Sequence, residues 1–158
     1  MNELTPAIFA EIWTSTKAEK KMDDPDLARM QKFMVMHEDL HGLWDQLAAD
    51  PTTNLEVDGE NMMLHIAMDA ATEGALEAGQ PEGLRGLFQA LTTAGFDPGQ
   101  AFHVLQQAMM HEFLIAAEKG QEMSLDLLLN RATDYVGQAM RQGPGGEPDS
   151  DPEPKPGA

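Results

Sequence analysis

A small polar residue stands directly before a proline at the head of a helical pattern in Thr5-Pro6 and in Asp97-Pro98. That order puts a capping oxygen next to a residue that has no N–H to leave unpaired, which suits the first turn of a helix. Behind Thr5-Pro6, residues Ile8, Phe9, Ile12 and Trp13 form an apolar face, and Lys17, Lys20 and Lys21 lie where a helix C-terminus favours positive charge. A helix over about 6–21 is expected. Behind Asp97-Pro98 a second should run to about Lys119 and stop at Gly120.

The rest of the chain carries the same period. The Asp-Asp-Pro-Asp run at 23–26 breaks the first helix, and Leu27, Met30, Met34, His37, His41 and Trp44 then follow at steps of three and four, predicting one helix over about 26–49 that ends before Pro51. Residues 50–59 have loop chemistry, with Leu55 and Val57 as anchors. From Glu60 to about Ala78, Met62, His65, Asp69, Thr72 and Leu76 make one stripe beside Met63, Ile66 and Ala70, so this helix should present a wide inward face. A short helix over about 82–94 follows Gly79 and Pro81 and closes at Gly95, and Ser124 caps a last one to about Met140. No run alternates like a strand and no segment repeats. The expected fold is all-α, a single-domain bundle of five or six helices over 1–141, followed by a Pro/Gly/acidic tail over 142–158 with nothing bulky to bury and no expected order.

Ten basic residues against 27 acidic ones give a net charge of −17, which repels phosphate backbones and anionic lipid surfaces, so neither nucleic acid nor membrane is an expected partner. Nothing in the sequence indicates a protein partner or homo-oligomer. The absence of cysteine removes disulfides, thiolate metal sites and cysteine nucleophiles. No run approaches the ~18 apolar residues of a membrane span, and the acidic N-terminus lacks the basic start of a secretory signal. A soluble cytoplasmic protein is expected.

Chemistry enters through the histidines. All five fall on expected helices, and residues four apart on a helix share a face one turn apart. His37 with His41, His65 with Asp69, and His103 with His111 across Gln107 are therefore metal-ligand spacings, and three helices meeting through those faces would gather one site. Between Lys32 and Lys119, Arg85 is the one basic residue against 14 acidic ones, a field that favours a bound cation. A sulfur-free donor set suits zinc, iron, nickel, copper or manganese. The expected cofactor is a divalent transition metal, with iron, zinc and manganese foremost, in a mono- or dinuclear centre, and no organic cofactor is expected. The candidate ligands are His37, His41, His65, Asp69, His103 and His111. Glu38, Glu73 and Glu112 are candidate supporting groups, and Glu38 is also a candidate general base beside a metal-bound water.

The order of these features resembles a bacterial family known as domain of unknown function 1841. That family has an early Phe-x-x-x-Trp helix, a His-Pro-x-Tyr-His block, an Asn-Pro-Phe-Leu-His block with a second histidine four residues on, a Pro-x-Gly-Ile-Arg turn, and a helix rich in His and Glu closing near a glycine. Here stand Phe9 to Trp13, His37-Glu-Asp-Leu-His41, Asn61-Met-Met-Leu-His65, Pro81-Glu-Gly-Leu-Arg85, and His103 leading to Gly120. The chain departs from the pattern with Asp69 in place of the second histidine, Gln107 and His111 where glutamates are usual, and Met62 for a proline. The resemblance implies a helical fold and a site in outline, and no reaction.

A second reading has no metal. In it the protein is a non-enzymatic helical interaction module, binding through an acidic face or a groove rich in its twelve methionines, and the histidines are core or pH-sensing residues.

Overall fold

The computed structural model describes residues 4–144 and is all-α but for one two-stranded hairpin. Its elements are α1 (Pro6–Lys17), α2 (Pro25–Met36), a 3-10 turn (Glu38–Leu40), α3 (His41–Ala49), β1 (Glu56–Val57), β2 (Glu60–Asn61), α4 (Met62–Ala78), α5 (Leu84–Thr93), α6 (Pro98–Glu118) and α7 (Leu125–Gln142). The chain divides into two compact units, Met1–Ala78 and Gly79–Ala158. The tail expected to lack order lies, from residue 145 onward, outside the described residues. Among the described residues no helix is long and apolar enough to cross a membrane.

The helix starts are built locally. Thr5 accepts from the Ile8 N–H and Pro6 opens α1. Asp24 accepts from the N–H groups of Asp26 and Leu27 ahead of α2, and Ser124 from that of Leu127 ahead of α7. Asp97 and Gln100 exchange side-chain and backbone bonds in a capping box at the head of α6. Each cap satisfies N–H groups that the helix itself cannot pair, an effect of about 1 kcal/mol.

In the first unit α1 packs against α3 and α2, and α2 against α4. Phe9, Ile12 and Trp13 of α1 and Trp44 and Leu47 of α3 are buried, with the Phe9 and Trp44 rings stacked at 5.8 Å. Met30, Phe33 and Met34 of α2 and Ile66, Ala67 and Ala70 of α4 are buried as well. Burying each large side chain stabilises by roughly 1.5–3 kcal/mol, whereas exposed ion pairs contribute about 0–1 kcal/mol. The pairs Arg29–Glu77, at 2.6 Å, and Lys32–Glu73 therefore set the register of α2 on α4 more than they hold it. In the second unit α5, α6 and α7 pack on one another around Leu84, Leu91, Leu105, Ala108, Leu128, Ala132 and Val136.

Two expectations change. The single helix over 26–49 is two helices, which is why there are seven α-helices among the described residues and not five or six. His37, at φ −85° and ψ 74°, leaves helical geometry, and its carbonyl accepts from the Leu40 N–H in a tighter turn. No glycine or proline marks this break. It lets α2 face both α1 and α4 while α3 turns Trp44 and Leu47 onto α1, a demand of packing that no local pattern states. The second change is at 50–59, where a hairpin pairs Glu56 with Asn61 and Val57 with Glu60. Its two turn residues, Asp58 at φ 52° and Gly59 at φ 81°, form the Asp-Gly turn that matches the twist of a tight hairpin.

Candidate metal centre

The break at His37 decides the site. It takes His37 off the helix and turns it toward α4, where Asp69 lies one turn beyond His65 on the same face. The Nε2 of His37 is 3.0 Å from Asp69 Oδ2, and the Nε2 of His65 is 3.5 Å from the same oxygen. The two rings meet edge to face at 5.2 Å. One ligand atom from each of His37, His65 and Asp69 lies within 4.8 Å of the others. A metal bonded at about 2.1 Å holds neighbouring ligand atoms about 3.0–3.5 Å apart, so little rearrangement separates this geometry from a coordination shell.

The electrostatics are unusual for a carboxylate in this position. Asp69 is 6% exposed, flanked on α4 by buried Met68 and Ala70. Among the described residues its polar partners are two imidazoles, with no lysine or arginine. A buried carboxylate without a fixed cation is costly, and the cost is relieved by whatever positive charge its neighbours supply. In the protein alone His37 supplies it: the hydrogen bond to Asp69 raises the His37 pKa above its ordinary value against the opposing effect of burial, with further help from the charges of Asp69 and Asp39.

Of the six expected ligands the structure groups these three. His41 begins α3, and its Nε2–H donates to the Val35 carbonyl at 3.0 Å while its ring lies 4.9 Å from that of Trp13. It thereby satisfies a carbonyl left free by the end of α2. His103 and His111 belong to α6 of the second unit. His103 is exposed. The Nδ1 of His111 faces Arg131, 3.2 Å away, and the Tyr135 hydroxyl, 2.9 Å away. Since arginine only donates, that nitrogen is the acceptor, and partial burial followed by the charge of Arg131 pushes the His111 pKa down against the pull of Glu112.

The candidate supporting acids also have other partners: Glu73 pairs with Lys32, and Glu112 with Arg131 at 2.7 Å. Glu38 is exposed in the 3-10 turn directly after His37. Absent from the sequence reading is Glu60, whose Oε1 is 2.9 Å from His65 Nδ1. The helical period places it at the start of a helix, whereas it opens β2. The Asp58-Gly59 pair was the local signal for a hairpin that would have separated it.

No curated protein and no solved structure matches the chain. A family model described as domain of unknown function (DUF1841) matches residues 3–133, which spans every residue of the grouping, nearly all of the first unit, and the second unit as far as the first half of α7. The likeness read from the motif order is thus a membership: the chain belongs to the DUF1841 family.

Proposed function

We propose that the first unit binds one divalent transition metal ion through His37, His65 and Asp69, and that this centre is the functional core of the protein. The observation that carries the reading is Asp69, a buried carboxylate answered by two imidazoles and no permanent cation. Two histidines and one carboxylate on one side of an ion are a donor set suited to iron(II), zinc or manganese, and three protein ligands leave positions free for water or a small ligand. Such a centre can polarise a bound group or activate a bound water.

The test is elemental analysis of protein purified without chelator, alongside His37→Ala, His65→Ala and Asp69→Asn. The expected result is about one equivalent of metal in the unaltered chain, lost in all three variants, with thermal stability falling on chelation of the unaltered chain alone. Less than about a tenth of an equivalent of any transition metal, with added iron(II), zinc(II) and manganese(II) leaving thermal stability unchanged, overturns the proposal in favour of the interaction module.

A further inference from the structure

Resting on the metal reading of His37, His65 and Asp69, we infer that Glu60 is a positioning residue for that centre, the outer carboxylate of a carboxylate–histidine–metal relay that the β1–β2 hairpin holds in place. The argument begins with the protons on His65. A carboxylate accepts and does not donate, so the 2.9 Å contact between Glu60 Oε1 and His65 Nδ1 requires the proton to be on Nδ1. In the neutral ring the other nitrogen, Nε2, then carries a lone pair. That lone pair stands 3.5 Å from Asp69 Oδ2, itself rich in lone pairs and already shared with His37. Two acceptors facing each other at this distance are stabilised by a cation between them, and Glu60 is the group that selects this arrangement. Its charge also makes the imidazole a stronger donor to a metal.

The hairpin fixes Glu60 more firmly than a loop would. Its residue pairs with Val57 across the strands, and the neighbouring Asn61 pairs with Glu56. The Asn61 side chain accepts from the Leu64 N–H at the head of α4, and the Met62 N–H donates to the carbonyl of buried Leu55. Glu60 and His65 are thus carried on one continuous, hydrogen-bonded corner from strand to helix. The carboxylate itself is half-exposed, with its side chain at 51%, so it can be changed without opening the core.

The experiment is titration of the full-length metal-free protein with cobalt(II), whose absorption reports ligand number and geometry, followed by competition with zinc(II). Glu60→Ala is expected to weaken zinc(II) binding roughly 10- to 100-fold and to alter the cobalt(II) absorption, while Glu60→Gln, whose amide oxygen can still accept from Nδ1, retains the spectrum with a smaller loss. Circular dichroism of both metal-free variants should match the parent. If Glu60→Ala binds with the parent's affinity and spectrum while Asp69→Asn fails to bind, the inference about Glu60 is wrong and the centre stands. If the unaltered protein takes up no cobalt(II) or zinc(II), the inference about Glu60 falls, and iron(II) and manganese(II) then decide the centre itself.

Discussion

Asp69 and Glu112 are the two acids buried among the described residues, at 6% and 3% exposure, and each lies on a long helix close to a histidine. They differ in what answers their charge. Glu112 in the second unit is held by Arg131, whose guanidinium also reaches His111 and adds to the larger effect of burial in lowering that ring's pKa. Asp69 in the first unit is held by His37 and His65 alone. A guanidinium keeps its proton at any ordinary pH, so the first arrangement is a closed ion pair. An imidazole releases its proton readily near neutrality and offers a lone pair instead, so the second arrangement can exchange a proton for a metal. The same ingredients, a buried acid beside a histidine, make a structural clamp in one unit and a candidate centre in the other.

The strongest way to break this comparison is to remove the clamp. Arg131→Met leaves Glu112 buried without its partner, and urea denaturation should show a loss on the order of 3 kcal/mol, much of it restored when Glu112→Gln is added. A variant as stable as the parent would mean that Glu112 is not held in the way described. Next in size is the effect of metal on the other acid. At zinc(II) about 100-fold above its dissociation constant the parent should gain roughly 2.7 kcal/mol, and His37→Ala should gain almost nothing.

Asp69→Asn should divide the two properties. It is expected to abolish metal uptake, yet metal-free stability should move by less than about 1 kcal/mol, since an amide can still bond to His37 and carries no buried charge. A large loss of metal-free stability would make Asp69 a clamp like Glu112. The finest contrast is in pH. His37 has a raised folded pKa, so its contribution is full below the unfolded value of 6.5 and is lost as pH rises through the folded value. His111 has a lowered folded pKa, so its contribution is full above 6.5 and is lost as pH falls through the folded value. Urea midpoints of the metal-free protein between about pH 5 and 8 should therefore fall on both sides. His37→Ala should flatten the alkaline side and His111→Ala the acid side, and identical profiles for the two variants would remove the contrast.

What could be read in advance follows the range of each interaction. The Thr5, Asp97 and Ser124 caps, and the helices behind them, depend on atoms a few residues apart, and the structure keeps them. The His65–Asp69 spacing was legible for the same reason, because one helical turn brings both side chains to one face. The same rule pairs His37 with His41, and there the fold departs from it: the turn at Glu38–Leu40 gives His41 to the end of α2 and the Trp13 ring, and His37 to a carboxylate 32 residues away. Glu60 lies beyond that rule: Asp58-Gly59 marks the hairpin turn, but a strand of two residues has too short a period to show that its carboxylate meets His65.

The amino-acid order by itself therefore determined that the chain is helical, where α1, α6 and α7 begin, which family motifs it carries, and that His65 and Asp69 share a face. Each of these is settled by backbone geometry within a turn or two. Tertiary structure alone decided that the chain breaks at His37, that His37 and not His41 completes a group with Asp69, and that Glu112 receives an arginine while Asp69 does not. Those outcomes depend on which faces α1, α2 and α4 must bury against one another, and on how α6 meets α7. That sum of long-range packing has no periodicity in the sequence to announce it.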